Sequence, residues 1–314
     1  MTTRRELLVA GAAGLAAAPG AQAAPDAQAA KGAAQPELRR VSYRSVRTGQ
    51  ERDYFVYLPP GHEQQRNWPV ILFLHGNGER GDGKGELDYV LAHGPLYEAW
   101  CQKRDLPFII ISPQLPMFGQ GDVDYIRNRT RAQIPGRRAE GVDPRPDERN
   151  VRRDAPMRGT QRDDKLPDGP EGPVDGWNLI AGELIAMVDD TVRNFRGDPR
   201  RTYLTGLSYG GFGSWYLAAN YPQKFAAVAP VVGYGHPAHA EAIARDKLPV
   251  WCFSGGRDDV VPARFFYAVF DRLEALGHTS ARLTSHEDLG HFTWVRVYRG
   301  DDLYSWFLEH SRQK

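Results

Sequence analysis

Residues 205–215, TGLSYGGFGSW, set a serine between glycines at the junction of two different patterns. Before it, RTYLTG (201–206) is β-branched and aromatic, as a strand requires, and after it GFGSWYLAAN (211–220) has the composition of a helix. Strand, sharp turn and helix with Ser208 at the turn is the geometry of a nucleophile elbow. Side chains two positions away on either side would collide there, and this chain has Gly206 and Gly210 at those places, with Gly211 beside them. The helix starting behind Ser208 would also point its positive dipole end at the place where an oxyanion forms. A Gly-x-Ser-x-Gly string arises by chance, however, so the partners must come from the rest of the chain.

Outward from the elbow, short apolar runs alternate with helical patterns. WPVILFLHGNGERGDG (68–83), PFIIISPQLP (107–116), FAAVAPVVGYG (225–235) and LPVWCFSGG (248–256) read as buried strands ending in glycine or proline. Between and after them, GELDYVLAHGPLYEAWCQK (85–103), NLIAGELIAMVDDTVRNF (178–195), PARFFYAVFDRLEALG (262–277) and DDLYSWFLEHS (301–311) read as helices. In the first, Leu87, Val90, Leu91 and Leu96 lie toward one side. RRVSYRSV (39–46) and RDYFVYLPPG (52–61) alternate and predict an opening hairpin, and SARLTSHEDLGH (280–291) predicts the last strand. Apolar strands alternating with helices imply one α/β domain, a mostly parallel sheet with helices on both faces.

A serine hydroxyl is a weak nucleophile until a base takes its proton, and that base must be oriented by a carboxylate. In this fold class the acid and the base follow the serine in chain order, each on a loop after a later strand. CFSGGRDDVVP supplies Asp258, with Asp259 as the rival acid, and SHEDLGHFTW supplies His291, with His286 as the rival base inside the preceding strand. An oxyanion hole would combine the backbone N–H of Tyr209 with that of Asn77 or Gly76, from the loop after the first long apolar run.

Taken together, FLHGNGERGDG, IIISPQLP, DGWNL, the run 201–235, SGGRDDVVP and DLGHFTW resemble the α/β-hydrolase serine esterases of the predicted-peptidase and phospholipase/carboxylesterase-like group, near feruloyl esterases and polyhydroxybutyrate depolymerases. The similarity runs from about residue 54 to 306. It implies an α/β-hydrolase fold, a triad of Ser208, Asp258 and His291, and neither metal nor organic cofactor. It also implies that Trp177 and Gln114 lie near the site entrance, with His75 grouped beside them as substrate-binding, and that Glu79 and Arg80 brace the oxyanion loop. Two departures stand out: Tyr209 replaces a commoner methionine, and residues 118–176 form an insertion longer than the family's usual connection.

That insertion is unusually charged. Residues 127–165 carry 12 Lys or Arg and 7 Asp or Glu, with few large apolar residues, so the segment is expected to be a flap or a solvated excursion. It could reshape substrate access.

The whole-chain balance, 40 Lys plus Arg against 39 Asp plus Glu, gives no general pull toward nucleic acid or a membrane. Cys101 and Cys252 are too few for a disulfide framework, and Cys252 sits in an apolar strand. Residues 1–23 carry Arg4-Arg5, an Ala- and Leu-rich stretch and Ala21-Gln22-Ala23, which resembles a twin-arginine signal peptide rather than a stable membrane anchor. Residues 24–37 read as a flexible leader and 38–314 as the catalytic domain. The expected activity is hydrolysis of small or polymeric carboxylic esters, exported to the periplasm or beyond. A peptidase of related fold is the alternative. A non-catalytic envelope protein would show a lost triad member, and none is lost.

Overall fold

The computed structural model describes residues 34–139 and 162–313; the expected signal peptide, most of the leader and the middle of the charged insertion lie outside them. Among the described residues, eight strands form one sheet in the order β1-β2-β4-β3-β5-β6-β7-β8. They are β1 (Glu37–Arg44), β2 (Glu51–Leu58), β3 (Trp68–Leu74), β4 (Ile109–Ser112), β5 (Gly197–Leu207), β6 (Ala227–Val231), β7 (Val250–Gly255) and β8 (Ala281–His286). β1 and β2 form the expected antiparallel hairpin, β2 also runs antiparallel to β4, and every pairing from β4 to β8 is parallel.

The helices are α1 (Gly94–Leu96), α2 (Asp124–Arg127), α3 (Ala181–Asn194), α4 (Tyr209–Asn220), α5 (Ala240–Arg245), α6 (Tyr267–Ala275), α7 (Trp294–Arg299) and α8 (Asp302–Leu308). Strand periodicity divides the core in two. Val70, Leu72 and Leu74 of β3 pack in one layer with Leu184 and Val188 of α3 and Leu217 of α4. Ile71 and Phe73 pack on the opposite face with Leu303 and Phe307 of α8 and Val297 of α7. Burial on both faces explains why the central strands are continuous apolar runs. Both cysteines are buried, and among the described residues neither forms a disulfide. Among the described residues, no helix is long and apolar enough to cross a membrane.

One expected helix is broken. Residues 85–103 form a 3-10 segment Leu87–Ala92, the single turn α1 and a π-turn Tyr97–Cys101. The break falls at Gly94, whose φ of 86° leaves the right-handed helical region and whose Cα lies flat on Phe73, where a Cβ would stand 2.2 Å from the ring. The expected apolar face survives, because Leu87, Val90, Leu91 and Leu96 are all buried. A second correction concerns the insertion. Its described flanks are not a purely solvated excursion: Arg129 has a buried side chain, Arg138 N–H donates to Cys101 O, and Asp168 accepts the Tyr234 hydroxyl at 2.7 Å.

The elbow rests on close backbone packing. A Cβ at Gly210 would lie 1.9 Å from Leu74 O, the last carbonyl of β3, and one at Gly206 would lie 2.3 Å from Gly210 O. Gly210→Ala is therefore expected to lose more than ~3 kcal/mol of stability or to abolish soluble expression. Urea denaturation checks this, and a loss below ~1 kcal/mol would contradict the packing described.

Candidate active site

Ser208, Asp258 and His291 come from three loops at the carboxyl ends of β5, β7 and β8, the edge at which open α/β sheets build their sites. Ser208 has φ 52° and ψ −116°, a strained conformation for a residue with a Cβ. Its N–H donates to Val231 O at 2.9 Å, and its carbonyl accepts the N–H of Phe212 in α4. The side chain is thereby lifted off the end of the sheet toward His291.

His291 Nε2 lies 3.1 Å from Ser208 Oγ, and His291 Nδ1 lies 2.9 Å from Asp258 Oδ2. Asp258 is 0% exposed, and its Oδ1 accepts the N–H groups of Val260 and Val261 at 2.9 and 2.8 Å. With that oxygen occupied by two backbone donors, Oδ2 is the acceptor left for Nδ1–H, which leaves Nε2 bare to receive the Ser208 proton. Asp259 is exposed, and His286 stays at the end of β8, stacked 6.3 Å from Phe253. Burial therefore favours the acid that sequence order favours, and the hydrogen bonds of His291 favour the same base.

A cleft of about 580 Å³ opens over Ser208. Gly76, Asn77 and Tyr209, the expected oxyanion residues, line it together with Tyr89, His93, Tyr125, Arg129, Phe292 and Trp294. Three of its residues are strongly exposed apolar groups: Val260 at 64%, Tyr125 at 59% and Phe292 at 50%. A larger groove of about 750 Å³ lies between β1 and α3, but it contains none of the three residues on the serine–imidazole–carboxylate line.

His75, Gln114 and Trp177 do not line the cleft, which corrects the expectation that they bind substrate at its entrance. Each is only 1% exposed, because each spends its polar atoms on the loop behind the cleft wall. Trp177 Nε1–H donates to His75 O at 3.2 Å. Gln114 Nε2 donates to Glu79 O and Glu86 O, and its Oε1 accepts Gly83 N–H. His75 Nε2 accepts the N–H of Leu115 at 2.9 Å, so Nδ1 carries the proton and donates to Gly76 O at 2.6 Å. Burial pushes the His75 pKa down to about 3, so the ring stays neutral.

The bracing expected of Glu79 and Arg80 is visible in the contacts of Arg80. Fully buried Arg80 donates to Pro116 O at 2.9 Å, Asp175 O at 2.7 Å and Asn77 Oδ1 at 2.5 Å, and its guanidinium lies 5.0 Å over the Tyr209 ring. Glu79 sits 3.7 Å from His75 Nδ1 and 3.9 Å from His93 Nε2, and burial raises its pKa to about 7, partly offset by its own N–H and that of Gly76. With His75 neutral, the Glu79–His75 contact is not an ion pair.

The sequence reading missed the cleft walls. Phe292 and Trp294 directly follow His291 and could have been found from that adjacency. Tyr125 and Arg129 stand in the charged insertion, where no periodicity marks an inward-facing residue.

Comparisons with known proteins find similarity to esterases in sequence and in fold. The model of the family described as "Putative esterase" matches residues 144–289, which include Ser208 and Asp258 and end two residues before His291. The chain is 49% identical over 55 residues to poly(3-hydroxyalkanoate) depolymerase C of Paucimonas lemoignei, covering 17% of this chain and 13% of that protein. It is 33% identical over 117 residues to poly(3-hydroxyoctanoate) depolymerase of Pseudomonas fluorescens, covering 35% and 41%. The chain thus spans less than half the length of either curated relative. A solved thermostable esterase superposes with a TM-score of 0.59 at 23% identity, over 88% of this chain and 63% of its own. The fold is that of the α/β-hydrolases, and the esterase resemblance read from the motifs is borne out.

Glu79 gives a pH signature. Its folded pKa lies above the unfolded value of 4.5, so the folded state holds the extra proton and stability falls as pH rises from about 4.5 through about 7. The Glu79→Gln variant lacks this loss and is expected to gain about 3 kcal/mol relative to wild type between pH 4.5 and 8. Chemical denaturation of both proteins across that range measures the difference; parallel curves would contradict the burial assigned to the carboxyl.

Proposed function

We propose that this protein is an exported serine hydrolase that cleaves carboxylic esters through an acyl-enzyme intermediate. The observation that carries the reading is the hydrogen-bonded line from Ser208 Oγ through His291 to buried Asp258, on a strained elbow that opens into the cleft.

Substrate enters with its carbonyl oxygen between the N–H of Tyr209 and the loop that carries Gly76 and Asn77. His291 Nε2 takes the Ser208 proton as Oγ bonds to the carbonyl carbon, and the electron pair of the C=O bond moves to oxygen. The tetrahedral intermediate collapses, the bond to the alcohol oxygen breaks, and His291 returns its proton to that oxygen. Water then enters, His291 takes one of its protons, and a second tetrahedral intermediate releases the acid and restores Ser208. Asp258 holds the productive tautomer and stabilises the imidazolium in both halves of the cycle. The aromatic and apolar walls, Tyr89, Tyr125, Phe292 and Trp294, favour substrates with apolar bulk beside the ester, of the polyester or aromatic acyl kind. The twin-arginine-like segment at residues 1–23 supports action outside the cytoplasm.

The test is a panel of chromogenic short-acyl, long-acyl and feruloyl esters with peptide anilides, assayed with wild type, Ser208→Ala and His291→Ala. Ester turnover that drops about 10³-fold or more in both variants is the expected result. Anilide hydrolysis without ester hydrolysis would replace the esterase reading with a peptidase, and equal turnover by wild type and Ser208→Ala would overturn the site.

A further inference from the structure

The loop that follows β3 must hold its N–H donors steady over Ser208, yet it has little structure of its own. It ends in the three-residue 3-10 turn Asn77–Glu79, which is too short to fix itself. From behind, it is tied by His75, Trp177, Gln114 and Arg80, as described above. Its outward side is tied by the charged insertion.

Two insertion residues make these ties. Tyr125, in α2, accepts a 2.7 Å hydrogen bond from Asn77 Nδ2 through its hydroxyl oxygen. The amide of Asn77 is thereby held at both ends, since Arg80 Nε donates to its Oδ1. Arg129 lies just past α2, and its Nη1 donates to Gly78 O at 2.9 Å and to Arg80 O at 2.5 Å. Its Nη2 donates to Glu86 Oε1 at 2.8 Å, and its guanidinium stacks 4.0 Å over the Tyr89 ring. One planar group thus bridges two carbonyls of the loop, a carboxylate and an aromatic face, which a lysine could not do with a single ammonium. The side chain of Arg129 is only 6% exposed, whereas Tyr125 is 59% exposed and is held here by one polar contact.

We propose that the start of the insertion belongs to the catalytic apparatus, with Tyr125 and Arg129 acting as positioning residues that clamp the oxyanion loop onto the elbow. The proposal rests on the esterase reading above and deepens it. Its logic is geometric. Oxyanion donors act in the transition state and must sit within a few tenths of an ångström of their place, so a loosened loop lowers kcat while leaving ground-state binding nearly intact. The two carbonyls taken by Arg129 belong to the residues after Asn77, so losing the guanidinium frees the loop on its outer side only. The lid and partner-docking roles that a charged insertion suggests need no contact with this loop, whereas positioning does.

The experiment uses the full chain and an ester that wild type turns over, with Tyr125→Phe, Arg129→Ala and Arg129→Lys. Tyr125→Phe keeps the ring in the cleft wall and deletes only the acceptor for Asn77. Its kcat is expected to fall about fivefold, with KM within twofold of wild type and an unchanged melting temperature. Arg129→Ala is expected to lower kcat about 100-fold, and Arg129→Lys to recover only part of that loss. If the arginine variants do not fold, Tyr125→Phe decides alone. An unchanged kcat in Tyr125→Phe, or a raised KM at constant kcat, would overturn the proposal, the latter by making Tyr125 a substrate contact. Failure of the esterase reading is distinct, because it appears as wild-type activity that survives Ser208→Ala.

Discussion

The backbone of Ser208 is the constraint on which the rest of the structure depends. A residue with a side chain is held at φ 52° and ψ −116°, a conformation that costs free energy and persists only where its surroundings enforce it. The enforcement is mutual contact of bare backbones. Gly206 lies against Gly210, and Gly210 lies against the carbonyls of Leu74 and His75. These carbonyls begin the loop that carries Asn77, so one close approach sets the nucleophile and the oxyanion loop together. The start of the loop is therefore placed by the sheet, while its later residues are held by the side chains of Arg80, Tyr125 and Arg129.

Around this contact the protein places polar groups in a dry setting and satisfies most of them. Arg80 is completely buried, yet it reaches two backbone carbonyls and the side chain of Asn77. A buried guanidinium with several acceptors is tolerable where a bare one would be costly. His75 is kept neutral by burial, with its Nε2 taken by the Leu115 N–H, and burial raises the Glu79 pKa to about 7. A raised carboxyl pKa beside two guanidinium groups suits a loop near which negative charge would build up transiently, because a permanent carboxylate there would oppose it.

The mostly parallel sheet, the elbow and the residues proposed as nucleophile, base and acid were legible in the sequence because each depends on local pattern, whereas the strand order was not. Apolar runs marked the central strands, glycines marked the elbow, and Asp258 and His291 followed their strands in the order that the chemistry needs. The choice of Asp258 over Asp259 has a simple structural counterpart: the first of the pair turns inward to backbone N–H groups and the second outward to solvent. What stayed hidden is tertiary. Nothing in the spacing of His75, Gln114 and Trp177 says that they face the back of a loop instead of the cleft. The need for glycine at position 94 comes from Phe73 on another element, which stands where a Cβ would lie. Arg129 is one of many arginines in a charged run, and only the fold distinguishes it from its solvated neighbours.

The most direct test of the account is covalent trapping of the nucleophile. The full-length protein is treated with an alkyl fluorophosphonate, digested and mapped by mass spectrometry, with His291→Ala treated in parallel. The account predicts stoichiometric phosphonylation of the peptide that contains Ser208, and labelling slowed by orders of magnitude in the His291 variant. An adduct on a different residue, or labelling of Ser208 that does not depend on His291, would contradict it.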